Sequence, residues 1–232
     1  MRSCAARAIR SSDPAMKGEG RARPASAVPI GRSAPTFRLP SADGPSVGLR
    51  DYHGRKNVIL WFTKGFGCPF CRQQMSHLRQ ALPAFEPFDA VVLLIARTPP
   101  ARARLYAKHF SLPFPYLCDA DGVVRASYGI DERSNPTGYY LKKIFGRLWN
   151  GRPPSSDFGQ SGRLGGPPGL LQSPAELVRA LADEDTGMFV VDTTGTLRFS
   201  SVGAWRNEAG ERWQLPSTDE IVAVLKEIKR SN

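Results

Sequence analysis

Asn57-Val58-Ile59-Leu60-Trp61-Phe62-Thr63-Lys64-Gly65-Phe66-Gly67-Cys68-Pro69-Phe70-Cys71 is the stretch on which the reading of this chain turns. From Asn57 to Thr63 runs an unbroken apolar segment that suits a strand covered on both faces. Beyond the loop that follows, Met75, Leu78 and Leu82 continue from Cys71 at the spacing of one helical face, until Pro83 interrupts it. The two cysteines therefore open a helix, with Cys68 at its cap and Cys71 one turn inside.

That placement favours a reactive sulfur. Unpaired backbone N–H groups at a helix start stabilise negative charge, so a thiolate at Cys68 is favoured where a mid-helix thiolate is not. Lys64 and Arg72 flank the pair and act in the same direction. Helix-start and Cys-x-x-Cys thiols titrate at roughly 3.5 to 7.5 against about 8.5 for a free thiol, which makes Cys68 largely thiolate at neutral pH. Cys71 lies on the inward stripe and is the less accessible sulfur. Residues three apart share a helical face, so its thiol can attack a sulfenic acid or mixed disulfide formed on Cys68 and close an internal disulfide.

Other uses of two cysteines fit less well. Zinc wants a second ligand pair, whereas Cys4 and Cys118 are isolated and His53, His77 and His109 show no paired spacing. A purely structural disulfide within one helical turn is a poor staple. Simple burial suits Cys71 but not Cys68, which precedes a proline at the first helical turn. Cys118, at a strand end about 50 residues after Cys68, reads as a half-buried apolar thiol or as an alternative resolving cysteine.

The chain has 232 residues, 41% of them hydrophobic, enough for one sizeable domain or two small ones. Four cysteines are too few for a disulfide framework and point to a reducing compartment, read here as the cytoplasm. The longest wholly apolar run, Ala90 to Ala96, is too short to span a bilayer. The net charge of +11 is concentrated at the start, where residues 1–32 carry +5. The remainder is scattered and lacks the interleaved aromatics of a single-strand binding groove, so nucleic acid is not an expected partner. Residues 1–30 read as a basic, disordered extension; residues 1–15, rich in Arg, Ser and Ala and poor in acid, also leave organelle targeting open, and Met16 is an alternative start to Met1.

Ordered structure is expected from about residue 31. Phe37 and Leu39 alternate with Val47 and Leu49 around Ala42-Asp43-Gly44-Pro45 as a hairpin. Val91 to Ala96 reads as a second buried strand, followed by a helix from Pro100 to Phe110, a short strand from Phe114 to Leu117, and a small helix around Val124 to Tyr128. Leu141, Ile144, Phe145, Leu148 and Trp149 share one face of an amphipathic helix, suited to packing on the domain, on a second copy in a homodimer, or on a partner or membrane surface. Between Gly151 and Gln172 ten of 22 residues are Gly or Pro, so the segment from about 139 to 182, which ends in a helix opened by Ser173-Pro174-Ala175-Glu176, reads as an insertion. Met188 to Val191 and Thr196 to Ser200 form a final hairpin about Asp192-Thr193-Thr194-Gly195. A terminal helix opens with the Ser217/Glu220 capping box and buries Ile221, Val224, Leu225 and Ile228.

This order resembles the thioredoxin-like α/β fold in its peroxiredoxin-like form: a central mixed sheet flanked by helices, with an N-terminal hairpin and a helical and loop insertion before the final hairpin. Ala34-Pro35-Thr36-Phe37-Arg38-Leu39-Pro40, Leu49-Arg50-Asp51-Tyr52-His53-Gly54, Asp119 to Gly129, and Phe189-Val190-Val191-Asp192 are similar to signatures of the alkyl hydroperoxide reductase and thiol-specific antioxidant group. The resemblance covers roughly residues 31–228 apart from the insertion. It implies that Cys68 is the peroxidatic cysteine and Cys71 the resolving one, with a hydroperoxide as substrate, thioredoxin or a glutathione system as reductant, and no metal or bound cofactor.

Three positions depart from the family pattern. Its main type places a proline seven residues, and a threonine or serine three residues, before the reactive cysteine; here these are Trp61 and Gly65. Thr63, at the strand end, is the candidate substitute hydroxyl. The family's arginine commonly lies three residues before the phenylalanine of the Phe189 strand, where this chain has Thr186; Arg198, on the neighbouring strand, is the candidate stand-in. Cys-x-x-Cys at a helix start is also shared with thioredoxins and thioredoxin-like disulfide reductases, which place a cis-proline near the strand facing the site, where Thr186 and Gly187 stand here. The Cys-Pro-Phe-Cys centre thus looks like an atypical peroxiredoxin-like subgroup, with exchange of protein disulfides and a redox-sensing or interaction module as the alternative functions.

Overall fold

The computed structural model describes residues 28–66, 69–130, 186–203 and 216–231. All but the last three residues of the basic extension, the helix at 141–149, the insertion at about 139–182, Gly67 and Cys68 lie outside the described residues.

The anticipated hairpin is a short one, β1 (Arg38–Leu39) against β2 (Val47–Gly48), followed by a 3-10 turn at Leu49–Tyr52. β3 (Asn57–Thr63) is buried at every position, as its unbroken apolar run requires. Then come α1 (Pro69–Phe85), β4 (Ala90–Ala96), α2 (Pro100–Phe110), β5 (Tyr116–Cys118) and α3 (Val123–Ser127). β6 (Thr186–Val191), β7 (Leu197–Gly203) and α4 (Thr218–Ser231) complete the described elements. Five strands form one mixed sheet in the order β5-β4-β3-β6-β7. β3, β4 and β5 run parallel, and β6 and β7 are antiparallel to their neighbours. The thioredoxin-like expectation is met.

Strand alternation divides the core into two layers. Ile59, Trp61, Val92, Leu94, Met188 and Val190 face the packed sides of α1, α2 and α4, contributed by residues such as Met75, Leu78, Phe85, Tyr106, Leu225 and Ile228. Val58, Leu60, Phe62, Leu93, Phe189 and Val191 face Tyr128, Ile130 and the N-terminal residues Ala34, Leu39 and Leu49.

That N-terminal segment also reaches both sheet margins. Leu197 N donates to Arg32 O at 2.9 Å and Ala34 N donates to Gly195 O at 2.9 Å, beside β7. Further on, Cys118 N donates to Pro40 O at 2.9 Å and Ala42 N donates to Tyr116 O at 2.9 Å, along the free side of β5. Tyr128 Oη holds the crossing to the sheet, donating to Pro35 O at 2.8 Å.

Pro83 does not stop α1, contrary to the sequence expectation. The helix runs on to Phe85, whose fully buried ring holds the last turn against the core, while the proline itself is exposed and its missing N–H falls on the solvent side. The terminal capping box forms as read: Ser217 N donates to Glu220 Oε2 at 2.8 Å and Glu220 N donates to Ser217 Oγ at 3.2 Å.

Three aspartates of the resembling segments secure turns. Asp51 accepts from Gly48 N at 2.8 Å and from the Arg38 guanidinium, contacts that hold its carboxyl below the ordinary range. Asp119 accepts from Arg125 N at 2.8 Å and Val124 N at 3.2 Å at the start of α3. Asp192 accepts from Thr194 N, Thr194 Oγ1 and Thr196 N at 2.9, 2.6 and 2.9 Å. In that last turn Gly195 has φ +82°, a conformation that strains any side chain, and a Cβ there would sit 2.5 Å from His53 Nε2 and displace the imidazole.

Candidate active site

The three parallel strands end together, and Thr63, Ala96 and Cys118 form a row across their carboxyl ends. At about 4.8 Å per strand the row spans roughly 10 Å. Open α/β sheets bind ligands at this edge. Gly187 pairs with Phe62, so Thr186, the preceding residue of the antiparallel β6, comes alongside Thr63. Both threonines are buried, and by alternation both point to the α1 side of the sheet.

α1 starts at Pro69, the residue after Cys68, so the helix start read from the sequence is in place. Cys71 is fully buried in its first turn, within the layer that also holds Trp61, Met75, Ala96, Tyr116 and Cys118. The loop from β3 to α1 is held by its own polar groups. Gly65 N donates to Thr63 Oγ1 at 3.2 Å, and Arg72 Nη1 donates to Phe66 O at 2.7 Å. Gly65 adopts φ +82°. Phe66 is buried, stacked on Phe110 at 4.6 Å and on Tyr116 at 5.6 Å between ring centroids. Lys64 and Arg72 are half-buried beside this loop.

Thr63 thus stands at the site edge, with its hydroxyl accepting a hydrogen bond from its own loop. Arg198 is not brought to the site. It lies near the start of β7, beside the Val191 end of β6, whereas the site edge is at Gly203, about 17 Å further along the strand. There its Nε donates to Asp192 Oδ2 at 2.5 Å. Burial pushes the Asp192 carboxyl up, but Thr194, Thr196 and Arg198 outweigh it and hold the group below the ordinary range. The stand-in expectation for Arg198 is therefore corrected: an antiparallel return from the Asp192 turn puts the first residues of β7 at the far end of the sheet.

Cys118 is buried at the site edge, and burial pushes its thiol up to about 11, against the lowering influence of Arg104. At pH 8 only about one such thiol in a thousand is ionised. Native protein should therefore label at Cys118 at least about 100-fold more slowly than a free thiol with a disulfide reagent, with the rate rising about tenfold per pH unit up to pH 10. Labelling at the rate of free cysteine at pH 8 would contradict this burial.

The sequence reading missed Thr98 and Tyr116. Thr98 Oγ1 and Tyr116 Oη share a buried hydrogen bond of 2.8 Å next to Gly65. Tyr116 read as one more apolar strand residue and Thr98 as part of a loop, and only the pairing of β4 with β5 joins them.

A model of the AhpC/TSA family matches residues 30–145, half of the chain. This chain belongs to the AhpC/TSA family. The matched span takes in the Cys-x-x-Cys segment, β3 to β5 and α1 to α3. Alkyl hydroperoxide reductase E of Mycobacterium tuberculosis is 35% identical over 103 residues, which are 44% of this chain and 67% of that protein. The chloroplastic peroxiredoxin Q of Populus jackii is 29% identical over 100 residues, 43% of this chain and 46% of that protein. Among solved structures, peroxidoxin BcpB of Mycobacterium tuberculosis superposes with a TM-score of 0.53 at 19% identity, covering 88% of this chain and 97% of that one, a likeness of fold. In AhpC/TSA terms the Gly65 and Thr186 departures both fall at the carboxyl edge of the sheet.

Proposed function

We propose that this chain is a thiol peroxidase in which Cys68 reduces a hydroperoxide and Cys71 resolves the product. The observation that carries the reading is Cys71, fully buried in the first turn of α1 at the carboxyl edge of β3, one turn from the Cys68 position in an AhpC/TSA chain. The Cys68 thiolate attacks the hydroxyl-bearing oxygen of the peroxide. An S–O bond forms, the O–O bond breaks, and the departing oxygen takes a proton from solvent to leave as alcohol or water. Cys71 then attacks the sulfenic sulfur, water leaves, and the Cys68–Cys71 disulfide forms. An external dithiol of the thioredoxin or glutathione type returns the pair to thiols.

A reducing compartment, the cytoplasm in the simplest case, suits this cycle. No helix among the described residues is long and apolar enough to cross a membrane. A homodimer is compatible with the amphipathic 141–149 segment.

The test is the rate at which hydrogen peroxide and an organic hydroperoxide oxidise Cys68. The wild type should react far faster than free cysteine and yield an intramolecular disulfide. Cys71→Ser should react at a similar first-step rate but stop at a sulfenic acid, visible as a gain of one oxygen in the intact mass and as trapping by a sulfenic-acid reagent. Oxidation of the wild type no faster than free cysteine, together with efficient reduction of insulin disulfides, would replace this reading with disulfide exchange.

A further inference from the structure

The outward face of α2 carries charge of one sign. From Arg97 to Cys118 the chain holds Arg97, Arg102, Arg104 and Lys108 without a single Asp or Glu. Ala103, Tyr106 and Ala107 turn into the core, which leaves Ala101, Arg104, Leu105 and Lys108 exposed on the opposite side, Leu105 with 46% of its surface accessible. Arg102 lies over the Tyr106 ring, 5.9 Å from its centroid. Neither Arg104 nor Lys108 has a hydrogen bond or an ion pair among the described residues.

Solvation alone does not call for this pattern. Arg104 and Lys108 stand four apart on one helix, the spacing at which like charges repel. The helix start favours negative charge, yet the first turn of α2 has no acidic residue. An acidic side chain at either place would stabilise α2, and an acidic surface from outside would do the same. The face also borders the candidate site. α2 opens just after Ala96, the β4 member of the row at the carboxyl edge of the sheet. On its inner side Tyr106 and Phe110 pack on Phe66 at 5.0 and 4.6 Å between ring centroids, so the helix backs the loop from β3 to α1. A partner on the outer face is thus one helix diameter, about 10–12 Å, from that loop.

We propose that the basic face of α2 docks an acidic dithiol protein that reduces this chain after oxidation. This rests on the proposed cycle, in which an external dithiol returns the cysteine pair to thiols. One thiolate of the partner attacks the disulfide and forms a mixed disulfide, which the partner's second thiol then breaks. Two electrons and two protons pass to this chain, and the partner leaves as a disulfide. Opposite charge across the face raises the encounter rate and fixes the register of docking, while the exchange chemistry itself is unaltered. A single-strand nucleic-acid groove would present aromatics, and here Tyr106 and Phe110 are turned towards Phe66. A membrane-binding face would add apolar surface beyond Leu105.

The experiment forms the disulfide with diamide in the full chain and follows its reduction, at matched dithiol concentration, by a thioredoxin of net negative charge and by dithiothreitol. Wild type is compared with Arg104→Glu/Lys108→Glu, with the conservative Arg104→Lys/Lys108→Arg, and with Lys226→Glu/Arg230→Glu, which makes the same change of charge at exposed positions of α4. At low salt thioredoxin should reduce the α2 reversal roughly 10- to 100-fold more slowly than wild type, and the difference should shrink at about 0.5 M salt. The conservative and α4 variants should stay within about threefold of wild type, and dithiothreitol should reduce all four proteins at rates within about twofold. The proposal is overturned if the α2 reversal keeps the wild-type thioredoxin rate, if dithiothreitol slows equally, or if the α4 reversal slows as much. Loss of binding to phosphatidylserine vesicles in the α2 reversal, with its thioredoxin rate unchanged, also overturns it and assigns the face to an anionic membrane. Arg104→Gln and Lys108→Gln, read singly, decide the same comparison where the double reversal does not fold. Because diamide makes the disulfide, a wild type oxidised by hydrogen peroxide no faster than free cysteine removes the peroxidase reading alone, and the docking comparison is still decided by the reduction rates.

Discussion

Cys68→Ser is expected to abolish peroxide consumption. The nucleophile in the proposed cycle is a thiolate, and a serine hydroxyl is neither ionised at neutral pH nor able to form the sulfenic acid on which every later step depends. Removing the nucleophile of a covalent mechanism costs on the order of 10^3-fold or more. Neither Cys71 nor Cys118 can take over: both are buried, and Cys118 stays protonated with its thiol pushed up to about 11. The measurement is peroxide loss in the presence of a dithiol reductant, alongside a melting curve to show that the variant is folded. A folded Cys68→Ser protein that still consumed peroxide at the wild-type rate would move the chemistry to another sulfur.

Phe189→Ala is expected to give a large loss of stability. Phe189 is fully buried on β6, between β3 and β7. Its ring meets Phe62 edge-on at 5.6 Å and Tyr128 at 4.9 Å, so it joins the sheet to the segment that follows α3. Truncation removes the transfer energy of the ring, leaves a cavity that a sheet interior cannot close, and breaks two aromatic contacts. Together these amount to about 3–5 kcal/mol. The check is the urea midpoint at unchanged m-value, and a loss below about 1 kcal/mol would mean that the layer repacks around the gap.

What could be read from the chain depended on how local the determining signal was. β3 declared itself because a strand covered on both faces has no polar alternation. α2 starts and ends where the Pro100 and Phe110 pattern put it, and the Ser217/Glu220 box forms because both of its partners lie within one turn. Pro83 misled because the end of α1 is decided by the burial of Phe85, a tertiary effect stronger than one lost hydrogen bond. Arg198 was sought at the site because β7 neighbours β6, but neighbouring strands share only a register, and the register puts Arg198 at the opposite end. Thr98 and Tyr116 stand 18 residues apart and meet through the parallel alignment of β4 with β5, which no periodicity encodes.

The segment from residue 31 to 42 has a consequence for assembly. One short length of chain satisfies backbone groups beside β7 through Arg32 and Ala34, and beside β5 through Pro40 and Ala42. Exposed strand edges are templates for joining another chain. A second copy cannot extend the sheet past Tyr116–Cys118 without first peeling this belt away. The same belt ties the two margins of the sheet into one mechanical unit: loosening it at one margin slackens the crossing to the other, and with it the strand that carries Tyr116 and Cys118.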